Sequence, residues 1–100
     1  MKAKSCPFVY VLWHDAEHPS TGEWIMRADL DKSPSLTVET GGFLVNRTRK
    51  LLQVAVSVAS RGAEDEQYTG VMNIPMGCVE KIIEFPASGG SKVTYQKRAK

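Results

Sequence analysis

The chain is poor in cysteine, has no long apolar run and carries no recognisable catalytic signature, and each shortage removes a class of protein. Two cysteines in 100 residues, Cys6 and Cys78, allow at most one disulfide, so a disulfide scaffold is excluded and reduced thiols are expected. No stretch approaches the roughly 18 consecutive apolar residues of a membrane-spanning helix. Nor is the segment from Met1 to Ser5 followed by the apolar run of a secretory signal. The expectation is a cytoplasmic protein without a membrane segment. There is no Gly-x-Ser-x-Gly elbow, no phosphate-cradling glycine loop and no closely spaced set of cysteines and histidines. Helical periodicity is weak throughout, which turns attention to strands.

The composition is that of one folded domain: hydrophobic residues make up 42% and charged residues 24%, near the averages for globular chains. A net charge of +2 conceals an uneven distribution. Residues 5–85 hold all eleven acids but only seven bases, Arg27, Lys32, Arg47, Arg49, Lys50, Arg61 and Lys81, whereas Lys2, Lys4, Lys92, Lys97, Arg98 and Lys100 stand at the ends with no acid among them. Basic ends of this kind hold polyanions loosely through counterion release, or simply confer solubility.

Period-two alternation places the strands. Phe8-Val-Tyr-Val-Leu-Trp13 is rich in β-branched and aromatic residues and reads as the first strand, with Phe8, Tyr10 and Leu12 on one face and Val9, Val11 and Trp13 on the other. Residues 14–22 have turn chemistry, and residues 24–30 suit either a short strand or one helical turn. A long bent hairpin follows. Leu36–Val45 is interrupted by Gly41-Gly42, a place for a bulge or bend; Asn46–Lys50 is the tip; and Leu52, Val54, Val56 and Val58 line one face of the return strand. Residues 61–67 read as an exposed acidic loop. In the closing stretch, Tyr68–Phe85, Pro75 ends one apolar strand, Gly77 supplies the freedom for a sharp connection, and Val79–Phe85 forms the last core strand. This divides the chain into an N-terminal arm (1–7), a single small β-barrel domain (8–85) and a basic, partly flexible tail (86–100). Within the tail, Pro86–Ser91 has linker composition, and Lys92–Lys97 is either an extra strand or disordered.

Strand one ending in an acid, the bent hairpin, and Gly70-Val-Met-Asn-Ile-Pro75 followed closely by Val79-Glu-Lys-Ile-Ile83 resemble the small barrels of the Src-homology-3-like and Sm-like type. That resemblance implies an all-β barrel of five or six strands with a short 3₁₀ turn before the last core strand. Trp13-His-Asp15, Trp24, Glu39-Thr-Gly-Gly-Phe-Leu-Val45 and Asn73-Ile-Pro75 together are also similar to short uncharacterised proteins of tailed bacteriophages and prophages. This second resemblance implies a phage accessory protein in the bacterial cytoplasm and transfers no catalytic residue.

Candidate chemistry is thin. His14, His18, Cys6 and Cys78 are the residue types of a tetrahedral zinc site, but their spacing fits no zinc unit. The acids and bases at His14, Asp15, Glu17 and His18 lack a nucleophile and read as a solvated loop, so neither a metal, a cofactor nor an enzymatic activity is expected. Binding is the better expectation. Trp13, Trp24 and Tyr68 could flank a groove between loops, since aromatic anchors give large contact area at low entropic cost. Equally, both tryptophans could plug the core. Arg47, Arg49 and Lys50 put three bases on one hairpin tip, able with an aromatic neighbour to hold a phosphate or nucleotide. The leading expectation is a non-enzymatic protein-interaction module directed at a host factor or another phage component. The alternative is a nucleotide or nucleic-acid binder, such as a sequestering anti-defence protein, with a short anionic ligand or single strand preferred over long duplex. An exposed strand edge would also allow a homo-oligomer.

Overall fold

The computed structural model describes residues 6–15, 24, 26–28 and 36–98. The strands are β1 (Phe8–Asp15), β2 (Leu36–Arg47), β3 (Leu51–Ala55), β4 (Ser57–Ala59), β5 (Gln67–Thr69), β6 (Met72–Pro75), β7 (Val79–Phe85) and β8 (Lys92–Gln96), with a 3₁₀ turn at Met76–Cys78 between β6 and β7. Six of them form one antiparallel sheet in the order β6-β3-β2-β1-β7-β8, and β4 pairs with β5 in a separate two-stranded sheet. The fold is all-β, and the 3₁₀ turn stands where the resemblance implies it. No ladder joins β6 to β8, so among the described residues the large sheet is open. No helix among these residues is long and apolar enough to cross a membrane.

One face of the sheet carries the core. Val9, Val11 and Trp13 point inward from β1, which settles the face that alternation left undecided, and they meet Leu52, Val54, Ile74, Met76, Val79 and Ile82. Trp13 is buried and its indole Nε1 donates to Thr40 Oγ1 at 3.0 Å, so the ring's one polar group is satisfied inside. Each fully buried Leu, Ile or Val contributes about 1.5–3 kcal/mol relative to exposure. The same cluster draws on β6 at one edge and, through Tyr95, on β8 at the other. Only a strongly curled sheet brings those edges around a shared core.

The sharpest departures from simple alternation occur at the bend of the long hairpin. Val56 is not on the buried face with Leu52 and Val54: it is 71% exposed and lies between β3 and β4, while Ala55 is buried instead. Its amide leaves the main ladder to reach Thr69 O at 3.1 Å and Gly70 O at 3.3 Å. Gly70, at φ +63°, lies directly against the Val56 side chain. The expected bulge is likewise not at Gly41-Gly42, which pair in register with Tyr10 and Val9; the shift between β2 and β3 falls between Leu44 and Asn46. Gly42 serves close packing, because a Cβ there would stand 2.6 Å from Val54 Cγ1 and 2.7 Å from the Ala55 carbonyl oxygen.

Two further expectations change. Gly77 has no positive φ and open space around its Cα, so the β6–β7 connection is made by the extended Pro75 (φ −61°) and the 3₁₀ turn. Pro86–Ser91, linker-like in composition, is the turn of a hairpin in which Gly89 and Gly90 take φ of +101° and +77°. Lys92–Gln96 then returns along β7 as the sixth strand of the sheet. In the segment 24–30, Arg27 and Ala28 lie in a 3₁₀ turn and Trp24 is fully exposed.

Candidate nucleotide-binding groove

The hairpin tip is held by Thr48. Its backbone N–H donates to Leu51 O at 2.8 Å, and its Oγ1 accepts from the amides of Leu51 (3.0 Å) and Lys50 (3.2 Å). A hydroxyl that takes two backbone donors closes the turn locally. The tip is tied to the 3₁₀ turn as well, by Met76 N donating to Lys50 O at 2.9 Å.

The opposite wall comes from β8, where a one-residue irregularity aims the key side chain. Ile83 pairs with Val93 but Ile82 pairs with Tyr95, leaving Thr94 as the extra residue. Without it, Val93 and Tyr95 would share a face; the bulge sends Tyr95 to the core side, opposite buried Ile82, while Val93 stays exposed. Tyr95 packs against the core cluster, and the Arg47 guanidinium lies over its ring, 5.7 Å from the centroid. Beyond β8, Lys97 N donates to Glu80 O at 2.7 Å and Lys97 Nζ donates to Gly77 O at 3.1 Å, fixing the end of β8 against the 3₁₀ turn.

Between these walls is an open groove of about 660 Å³, lined by Arg47, Thr48, Arg49, Met76 and Tyr95. Met76 is its buried floor. Among the described residues no acid lines it, and Arg47, Arg49 and Lys50 form no ion pair. Two guanidinium groups and one aromatic face therefore converge on a cleft large enough for a small ligand.

Compared with protein-family models, curated proteins and solved structures, the chain matches none.

The structure separates the other candidate residues. Trp13 belongs to the core and Trp24 stands in solvent, so neither rims the groove. Tyr68 is on β5, where its OH donates to Glu66 Oε1 at 2.5 Å, and it shares a different, smaller depression of about 200 Å³ with Ser57, Val58, Ala59, Gln67 and Thr69. That hydrogen bond holds the Glu66 carboxyl below the usual carboxylate range, helped by the Gly62 amide, and raises the Tyr68 phenol. Of the tip residues, Arg47 and Arg49 line the groove, with Lys50 beside it. Tyr95 and Met76 are not among the site residues that the sequence suggests; the signal for Tyr95 is the Gly89-Gly90 turn ahead of a β-branched stretch.

Among the described residues, the candidates for a zinc site do not converge. Cys6 and Cys78 are both free and flank opposite ends of β1, with Val79 paired to Trp13, so that on the order of 20 Å of strand lies between them. His18 and Glu17 lie outside the described residues. His14 Nε2 is 3.2 Å from Glu80 Oε1, with Thr37 Oγ1 3.4 Å from Nδ1, and among the described residues no group of three His, Cys, Asp or Glu side chains could hold a metal ion.

Proposed function

We propose that this chain is a non-catalytic binding module on a small barrel of the Src-homology-3-like or Sm-like type, and that the groove between the β2–β3 tip and β8 takes a nucleotide. The barrel reading is supported by the curl that carries Arg47 to Tyr95 across the sheet and by the 3₁₀ turn after Ile74-Pro75. One observation carries the ligand reading: Arg47 lies over the Tyr95 ring in a groove that also holds Arg49 and, among the described residues, no acid. Guanidinium groups match phosphate oxygens in a bidentate fork, and once Arg47 turns from the Tyr95 ring to a phosphate the freed aromatic face stacks a base for about 1–3 kcal/mol. The Thr48 hydroxyl in the groove is already committed to closing the turn, which suits a ligand held rather than transformed. Resemblance to phage proteins supplies the setting, an accessory protein that sequesters a host or phage nucleotide.

Calorimetric titration with AMP and with inorganic phosphate tests this. AMP binds more tightly than phosphate, and Arg47→Ala and Tyr95→Leu each weaken it by about tenfold or more, in line with one lost charged or stacking contact. Absence of AMP binding, or binding that both variants leave untouched, overturns the reading.

A protein partner is the second reading, favoured by a separate observation on the other face of the sheet. There Phe8 packs edge-on against Phe43 at 5.5 Å and tilted against Phe85 at 6.2 Å, while Phe8, Phe85 and Val93 all remain exposed. This reading requires a partner whose capture is lost on Val93→Glu and survives Arg47→Ala.

A further inference from the structure

Resting on the nucleotide reading of the groove, we propose that its ligand is one internal nucleotide of a single strand rather than a free mononucleotide. The tip and the basic C-terminal stretch are nearly fifty residues apart in sequence, yet the topology brings them to the same cleft. Arg47 reaches the Tyr95 ring on β8, and Lys97 reaches Gly77, the neighbour of the Met76 floor. Arg49 of the tip lines the cleft with Lys50 next to it in the chain, and Lys97 and Arg98 follow Tyr95 where β8 ends, with Lys97 Nζ held on Gly77 O.

A mononucleotide carries its charge on one side of its base and engages one such cluster. An internal nucleotide has a phosphate on each side, and the spare cluster has then a partner. Lys97 Nζ spends one of three donors on Gly77 O and keeps two for a phosphate. Arg61, by contrast, is committed elsewhere: both its Nε and Nη2 donate to Cys6 O, at 3.0 and 2.6 Å. Arg47 and Arg49 line the cleft and Lys97 stands against the turn beside its floor, while Asp15, Glu39, Glu64, Asp65, Glu66 and Glu84 stand on other parts of the described chain and Glu80, whose backbone oxygen accepts from Lys97 N, places its carboxylate 3.2 Å from His14 Nε2. A duplex, which needs phosphate contacts over a broad face, would meet those acids; a strand threaded through the cleft would not.

Fluorescence polarisation with labelled hexamers of uridylate and of thymidylate, a labelled 12-base-pair duplex, and AMP as competitor tests the proposal. The hexamers are expected to bind at least tenfold more tightly than AMP and than the duplex. Their relative affinity tells RNA from DNA. Tyr95→Leu weakens the hexamers by about 5- to 100-fold, and Tyr95→Trp restores binding. Changing Lys97 and Arg98 together to alanine lowers hexamer affinity by a larger factor than AMP affinity and reduces the salt slope by about 1.4 for two lost phosphate contacts. If AMP matches the hexamers and the Lys97/Arg98 variant alters neither, the single-strand inference falls while the groove remains a nucleotide site. If hexamer affinity follows the lysine and arginine but ignores Tyr95, binding is diffuse charge attraction and the inference falls too. If neither AMP nor hexamer binds, both readings are refuted.

Discussion

Gly42→Ala is expected to destabilise the protein, although alanine is ordinarily the better residue in a strand. Gly42 is buried on β2 opposite Val9, and an added Cβ would lie 2.6 Å from Val54 Cγ1 and 2.7 Å from Ala55 O. Neither neighbour can retreat cheaply: Val54 is a core residue 2% exposed, and the Ala55 carbonyl belongs to the β3 backbone paired with Phe43. Restricting the unfolded chain offsets the clash by about 0.4–1 kcal/mol. Forcing an extra carbon into a packed core costs about 1–3 kcal/mol. The net loss is about 1–2 kcal/mol, or roughly 5–15 °C in Tm for a domain of this size. Gly77→Ala is the internal control, since a Cβ there meets nothing within 4 Å and φ is not positive; it is expected to be neutral or to gain up to about 1 kcal/mol. Urea and thermal unfolding can be followed by the emission of Trp13, which moves from core to water, against an already exposed Trp24. A Gly42→Ala protein as stable as the parent would refute the close-packing account of the β2–β3 bend.

Two other outcomes follow from particular contacts. Arg61 joins the β4–β5 tip to the start of β1 through its two hydrogen bonds to Cys6 O and by lying 5.1 Å over the Phe43 ring; Arg61→Ala should cost about 1–2 kcal/mol and speed amide exchange over residues 60–66, with Arg61→Lys a poor rescue because it lacks the fork. For pH, Glu66 has a lowered folded value, so its contribution is full above the ordinary carboxylate value and is lost as pH falls through that lowered value. Tyr10, bonded to Glu39, and Tyr68 are raised, so their contributions are present below the ordinary phenol value and disappear as pH rises through the raised ones. Ultraviolet titration should show both phenols ionising above an unfolded control, and Glu66→Gln should bring Tyr68 back toward it.

The strands were legible wherever a side chain's face followed from counting by two. β1 is the example: its β-branched and aromatic residues alternate, and Val9, Val11 and Trp13 are buried together. Counting failed where one residue breaks the period. At Val56 the hairpin bends and turns a valine to solvent, and the cause is long-range, since the relevant neighbours are Thr69 and Gly70. Thr94 does the same on β8, and alternation alone would have put Val93 and Tyr95 on one face. Composition misled at Pro86–Ser91, because glycines that suit a linker equally suit a tight turn, and the difference lies in what β7 offers for pairing. The groove was therefore half visible. Arg47 and Arg49 could be recognised as a basic tip, but the aromatic partner comes from a strand separated from them by β1 and β7 in the sheet, and only the curl of that sheet joins them.

The central claim is that Arg47, Arg49, Met76 and Tyr95 form one ligand site. Amide chemical-shift mapping on the ¹⁵N-labelled protein during titration with AMP tests it most directly. The account predicts saturable shifts confined to residues 47–50, 76–77 and 95–97, abolished by Tyr95→Leu. Shifts centred on the Phe8, Phe85 and Val93 face or on residues 57–69, or no shifts at all, would contradict it.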